Sequence, residues 1–329
     1  TGVEHAWRRD GHLAWFDYIK SNIDRFLQPD GSIPKYRLEE YNLDRINTGK
    51  LFFMLYDETG DERYLKGLHL LRRQLDTQPR NSLGGFWHKH IYPTQMWLDG
   101  LYMAGPFYAR YAARFDRPQD FDDIAWQFAL MEQVARDSET GLLYHGWDES
   151  RQQRWCDPQT GCSPHFWGRA VGWYAMALVD VLELFPHQHP IRPDLAAVFQ
   201  RLVEAIQQVQ HPTSGLWYQV LDKGHKPGNY FEASASCMFT YAVAKAVRLG
   251  ILPAESLEIA RRAWQGILRE FIREGEDGLV YLDKTCGVAG LGGDPYRDGS
   301  YDYYVGEKQV TNDPKGVGAF LMAAVEMGD

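Results

Sequence analysis

The chain is 329 residues long, 44% hydrophobic and 24% charged, with a net charge of −9, the profile of an ordinary folded protein rather than a disordered or membrane-spanning one. That negative balance excludes a nucleic-acid surface and any global pull on an acidic partner, so an anionic ligand has to be captured by a local cluster of cations. With 14% aromatic residues, among them 11 Trp and 19 Tyr, the chain is equipped for sugar stacking as well as core filling.

In chain order, amphipathic helical patterns alternate with more apolar ones. Residues 1–9 add a sixth inner segment; charged, amphipathic helices are expected over 11–27, 61–78, 118–136, 193–210 and 254–273; more apolar helices are expected over 43–58, 94–115, 167–185, 231–249 and 312–327. Between each amphipathic helix and the next apolar one lies a similar short segment: DGSIPKY, GGFWHKH, TGLLYHGWD, SGLWYQVLD and DGLVYLDKT. Their glycines, Gly31, Gly85, Gly141, Gly215 and Gly278, are 54 to 74 residues apart, room for two helices and a loop, which signals a repeat architecture. Amphipathic helices belong on an outer ring and apolar ones inside it. The expected fold is therefore all-α, a six-hairpin toroid or (α/α)6 barrel occupying 1–329 as one domain. As counted it lacks one outer helix, expected upstream of Thr1; an open α-solenoid is the alternative.

Every repeated loop feeds the start of an inner helix, so all five should meet at one mouth. Asp44, His88, Lys89, His145, Trp167 and Arg169 sit near these junctions, with Asp99 about a turn down its helix. Asp99 is the informative residue. Met96, Trp97, Leu98, Leu101, Tyr102 and Met103 surround it on every helical face, so the carboxyl should be buried and must be paired, hydrogen-bonded or neutral. A raised pKa would let it hold a proton near neutral pH and donate it, as an acid catalyst does. The basic triplet His88-Lys89-His90 just before it would suit an anionic substrate. A buried helix aspartate satisfied by a tyrosine or a backbone group is the competing reading.

The four cysteines, Cys156, Cys162, Cys237 and Cys286, have no CxxC spacing and read as free thiols rather than disulfides or a zinc site. The glycine-rich CGVAGLGG stretch from Cys286 has no GK[ST] signature and is no phosphate cradle. Nothing in the sequence requires a metal or nucleotide cofactor, a nucleic-acid partner or a membrane. The oligomeric state is left open, a monomer being compatible.

Several segments resemble a known family: LDRINTGKLFFMLYDETGDERYL (43–65), FWHKHIYPTQMWLDGLYMAGPFYARYA (86–112), YHGWD (144–148), HFWGRAVGWYAMALVDVLE (165–183), CGVAGLGGDPYRDGSYDYY (286–304) and TNDPKGVGAFLMA (311–323). Together they are similar to the unsaturated rhamnogalacturonyl hydrolases of glycoside hydrolase family 105, most specifically through MWLDG and WGRAVGW. The resemblance implies an (α/α)6 barrel that removes a Δ4,5-unsaturated galacturonyl residue from small rhamnogalacturonan I fragments by hydrating the vinyl ether. It implies that Asp99 is the general acid and base. Asp44 would bind sugar hydroxyls and, as a like charge, raise the pKa of Asp99; an N-cap is its alternative role. Arg169 would hold the uronate carboxylate with its planar fork, a helix-end ion pair being the alternative. His88 and Lys89 would add positive potential or hydroxyl contacts, and His145 would bind sugar or position water. Of Trp167 and Trp173, one would stack on the sugar and the other pack the core. Gly290 would belong to the pocket wall. A cytoplasmic location follows from the unpaired cysteines and the disaccharide-scale substrate. Rival readings are a family 88 unsaturated glucuronyl hydrolase, an inverting glycosidase with two spaced carboxylates, and a noncatalytic glycan-binding toroid.

Overall fold

A computed structural model describes residues 1–328. Helices α1 (Gly2–Asp10) and α2 (Leu13–Asp24) lead into two short 3-10 turns at 43–45 and 47–49, then α3 (Lys50–Thr59) and α4 (Glu62–Thr77). Strand β1 (Gln95–Trp97) runs directly into α5 (Leu98–Arg114), followed by α6 (Asp120–Ala135), β2 (Gly146–Asp148), α7 (Gly168–Leu184) and α8 (Arg192–Gln208). Then come α9 (Ala233–Arg248), α10 (Leu257–Glu270), β3 (Ile272–Glu274), β4 (Val280–Leu282), β5 (Thr285–Cys286), the short α11 (Tyr301–Gly306), β6 (Gln309–Val310) and α12 (Pro314–Met327).

The alternation follows the hydrophobic pattern. In α7 the buried residues run unbroken from Gly168 to Val179, and in α9 from Ala233 to Ala246, as befits helices enclosed on all sides. In contrast α10 buries only one stripe, Ile259, Ala260, Ala263, Trp264, Gly266 and Ile267. Among the described residues, α1, α3, α5, α7, α9 and α12 form the inner ring and α2, α4, α6, α8 and α10 pack outside it, an α/α toroid. Around the ring α5 packs on α7, α7 on α9, α9 on α12 and α12 on α1. Arg110 of α5 ties the remaining sector together, donating to Glu4 of α1 at 3.1 Å and to the Lys50 carbonyl at 3.2 Å.

The repeated loops are built as the glycine spacing suggests, with one shift. Gly31, Gly141, Gly215 and Gly278 adopt positive φ, where an L side chain would be strained. In the second repeat the turn glycine is Gly84 (φ 87°), not Gly85. Gly85 is required for space, since a Cβ there would collide with Met96 Sδ. A further turn of the same kind, at 157–162, went unread: its Gly161 N–H donates to the Asp157 carbonyl as Gly141 N–H does to Asp137.

The inner helices start later than their apolar patterns suggest. Over 43–49 the chain makes two 3-10 turns, and Gln95–Trp97 is extended because it pairs antiparallel with Gly146–Asp148. This correction places Asp99 at the second residue of α5 rather than a turn down it. No helix among the described residues is long and apolar enough to cross a membrane. All four cysteines are free thiols.

Candidate active site

Two sizeable cavities lie within the ring. The larger, about 680 Å³, is at the end where the inner helices finish, and most of its charges are paired: Lys245 with Asp180 and Glu183, Arg8 and Arg110 with Glu4, Arg248 with Glu326, while the buried Lys50 donates to the Tyr102 carbonyl. The smaller, about 280 Å³, opens at the mouth where the repeated loops meet and is lined by Asp44, Asn47, His88, Lys89, Trp97, Asp99, Met103, Trp167, Arg169, Trp173, Val288, Ala289, Arg297 and Lys315. Buried polar atoms without a protein partner collect around it: Asn47 Oδ1, His88 Nδ1, Arg169 Nη1 and the facing pair Asp99 Oδ2 and His145 Nε2. Unsatisfied buried polar groups are costly, so their concentration marks the mouth as the place where a ligand supplies what the protein does not.

Two equivalent corners frame this cavity. Trp97 and Trp167 both occupy the extended N-cap position of an inner helix, and the charged residue two places later, Asp99 in α5 and Arg169 in α7, projects from the first helical turn. Asp99 thus stands where backbone N–H groups are free, a position that favours a carboxylate. His145 Nε2 lies 3.2 Å from Asp99 Oδ2, positioned because Leu98 N–H donates to the His145 carbonyl beside the β1–β2 pairing. Burial pushes the Asp99 carboxyl up, but His145 facing it and His88 nearby outweigh that and hold it below its usual value. The expected raised pKa is therefore corrected for the free protein, where Asp99 is a carboxylate. The error came from reading Asp99 as a mid-helix residue.

Arg169 is almost wholly buried, with its guanidinium 5.1 Å from the Trp167 ring centre. Its Nη2 donates to the carbonyls of Cys286 (2.6 Å) and Gly287 (3.2 Å), leaving Nη1 unpartnered at the cavity. It is no helix-end ion pair, and one arm of its fork is already committed. On the opposite wall Lys89 Nζ sits 2.7 Å from Asp44 Oδ2, with His88 Nε2 3.6 Å from Asp44 Oδ1. Asp44 does not cap a helix; Asn42 does, accepting from the Asp44 N–H. Lys89 pairs with Asp44, and the Asp99 carboxyl is held below its usual value rather than raised above it. His88 stacks on Trp97 at 4.5 Å and burial holds its imidazole down to about 4, so it is neutral at pH 7 and adds no positive potential. A Cβ on Gly100 would lie 3.0 Å from His88 Nδ1, a contact tight enough that the ring would have to shift by a few tenths of an ångström to admit it.

Trp173 stacks on Tyr102 at 4.5 Å and Trp167 on Tyr304 at 5.9 Å; both also reach the cavity. Two expected wall residues do not. His145 is fully buried behind Asp99 and contributes no surface, because its ring is packed between Trp97 and Trp167. Gly290 is turned away, its N–H donating to Tyr303 Oη, while its neighbours Val288 and Ala289 line the cavity. Sequence reading missed Asn47, Trp97, Met103, Val288, Ala289, Arg297 and Lys315. Only Trp97 left a clear signal, through the shared spacing of WLD and WGR. The lining thus carries four cations, Lys89, Arg169, Arg297 and Lys315, against two carboxylates, Asp44 and Asp99. A net positive cavity in a chain of charge −9 is suited to an anionic ligand. Among the described residues no group of three or more His, Cys, Asp or Glu could hold a metal.

Comparison with known proteins places the chain in a family. The Glycosyl Hydrolase Family 88 profile matches residues 1–329. Protein Atu3128 of Agrobacterium fabrum (strain C58) is 43% identical over 230 residues, covering 68% of this chain and 97% of that protein. The unsaturated rhamnogalacturonyl hydrolase YesR of Bacillus subtilis (strain 168) is 29% identical over 254 residues, 75% of this chain and 69% of YesR. Among solved structures, a family 105 glycoside hydrolase from C. acetobutylicum ATCC 824 is 49% identical with a TM-score of 0.97, covering 99% of this chain and 90% of that one. The unsaturated glucuronyl hydrolase of Bacillus sp. GL1, at 12% identity and a TM-score of 0.69 over 99% of this chain and 84% of that one, shares the fold. The chain belongs to Glycosyl Hydrolase Family 88 and is a glycoside hydrolase of the kind, spanning families 88 and 105, that acts on unsaturated uronides.

Proposed function

We propose that the protein releases a Δ4,5-unsaturated galacturonyl residue from small rhamnogalacturonan fragments by hydrating the ring double bond, with Asp99 as acid and then base. One observation carries this reading: Asp99, the lining carboxylate that is not paired with a lysine, shares a compact, net positive cavity walled by indoles with the unpartnered Arg169 Nη1. A uronate whose carboxylate pairs with Nη1 brings its C4–C5 double bond beside Asp99. The arriving anion and the expulsion of water both raise the Asp99 pKa, so the carboxyl takes up a proton in the complex that it lacks in the free protein. It delivers that proton to C4, leaving positive charge shared by C5 and the ring oxygen, over which Trp167 or Trp173 can stack. Asp99, again a carboxylate, takes a proton from water as the oxygen adds to C5. The resulting hemiketal opens and expels the leaving sugar as its free alcohol. Asp44 and Lys89 at the rim hold sugar hydroxyls.

The 29% identity to YesR favours a galacturonyl-rhamnose substrate over a glucuronyl one. The test is a panel: unsaturated galacturonyl-rhamnose against unsaturated glucuronyl disaccharides, read by loss of the ultraviolet absorbance of the conjugated enol ether. Higher kcat/KM on the first is expected. Preference for the glucuronyl substrates would move the assignment to the other branch, and binding without turnover would make the protein a lectin-like toroid.

A further inference from the structure

Tyr304 takes no part in the steps above, yet its phenol is directed at the reacting group through one intermediary. The residue lies on α11, is fully buried, stacks on Trp167, and is anchored by Gln219 Nε2 donating to its carbonyl at 2.9 Å. Its Oη is 2.7 Å from His145 Nδ1, and the other nitrogen of that imidazole faces Asp99 Oδ2 at 3.2 Å. Two proton arrangements fit these distances. If Nδ1 carries the proton and donates to Tyr304, the Nε2 lone pair confronts a carboxylate oxygen and the phenol proton is buried without an acceptor, each a cost. If Tyr304 donates to Nδ1, the proton sits on Nε2, the nitrogen 3.2 Å from Asp99 Oδ2, and both the phenol and Nδ1 are satisfied. Burial keeps the Tyr304 phenol protonated, so the donor is always available.

We propose that Tyr304 is a positioning residue that fixes His145 as its Nε2–H tautomer, so that the carboxylate left on Asp99 after proton delivery is stabilised while it accepts the proton of the attacking water. The inference rests on the hydration reading for its catalytic consequence, but the tautomer itself does not. No covalent change occurs at Tyr304 or His145; one O–H···N hydrogen bond and the 3.2 Å approach of Nε2 to Asp99 Oδ2 pass a preference from phenol to carboxylate. Other titratable or charged groups facing Asp99 are His88, the Asp44–Lys89 pair, Arg169, Arg297 and Lys315, and none of them contacts His145 Nδ1.

Tyr304→Phe keeps the ring stacked on Trp167 and removes only the donor. It should lower kcat about tenfold or more, the scale on which loss of an outer partner of an oriented histidine is felt, with little change in KM. With the Nε2–H no longer enforced, the alkaline limb of kcat/KM should move to higher pH. The direct measurement is nitrogen-15 NMR of the His145 ring in substrate-free protein. A protonated Nε2 with bare Nδ1 in the wild type, together with a displaced pH limb in Tyr304→Phe, supports the assignment. An Nδ1–H tautomer in the wild type, or an unmoved limb in the folded variant, overturns it. Because the NMR reading needs no substrate, absence of turnover on every unsaturated uronide would sink the hydration reading while leaving the tautomer assignment measured on its own.

Discussion

Truncating Arg169 to alanine separates two jobs that its guanidinium holds at once. The unpartnered Nη1 is assigned to the substrate carboxylate, and a hydrogen bond between charged groups contributes about 1.5–3 kcal/mol, so Arg169→Ala should raise KM roughly 10- to 150-fold with a smaller effect on kcat. The Nη2 arm is structural: without it the buried Cys286 carbonyl loses a 2.6 Å donor and the Gly287 carbonyl a longer one. Each orphaned acceptor costs about 1–3 kcal/mol. Removing a buried cation that has no carboxylate partner returns part of this, leaving a net loss of about 2 kcal/mol and, for a chain of this size, a fall of about 3 °C in Tm. The assay is initial rates on an unsaturated uronide disaccharide and on its methyl ester, for wild type and variant. Wild type should favour the acid strongly, and Arg169→Ala should treat the two alike. An unchanged KM, with full preference for the acid retained in the variant, would refute the assignment and send the carboxylate to Lys89, Arg297 or Lys315.

Three further outcomes follow. The alkaline limb of kcat, which reports the enzyme–substrate complex, should lie at higher pH than that of kcat/KM, which reports the free enzyme, because Asp99 is held low until the uronate arrives; coincident limbs would contradict this. His88, held down to about 4 by burial, binds a proton more readily unfolded than folded. Stability should therefore fall as pH drops through 6.5 and level off below 4, by about 3 kcal/mol, and His88→Gln should flatten that slope in urea titrations followed across this range. Gly100→Ala would place a Cβ 3.0 Å from His88 Nδ1 and 3.1 Å from Leu43 Cδ1, costing about 1–3 kcal/mol and lowering kcat/KM; a variant as stable and active as wild type would show that the ring can yield.

The hairpin order was legible because it is written in local periods: one-sided stripes in α10, enclosed runs in α7 and α9, and glycines at positive φ between them. What was not legible depends on pairings between distant segments. Gln95–Trp97 reads as the start of a helix until Gly146–Asp148 is laid beside it, and that pairing both delays α5 and carries His145 to Asp99. The same cause explains the site. Trp167, Asp99 and Arg169 face the cavity from the start of an inner helix, Asp44, His88 and Lys89 from the segments leading into one, and Trp173 from the second turn of α7. The charge state of Asp99 was misjudged because it depends on His145, 46 residues away in sequence. Arg297 was invisible because the loop between β5 and α11 folds it back to the mouth, whereas Lys315 is the second residue of the inner helix α12, where it pairs with the N-cap Asp313.

The most direct test of the account is Asp99→Asn, an isosteric change at the one carboxylate that can both give and take the proton. Loss of enol-ether absorbance should slow by roughly 10²- to 10⁴-fold, the range for removing a general acid and base, with unchanged circular dichroism and substrate still bound. A folded Asp99→Asn variant that turns over unsaturated uronides at the wild-type rate would contradict it.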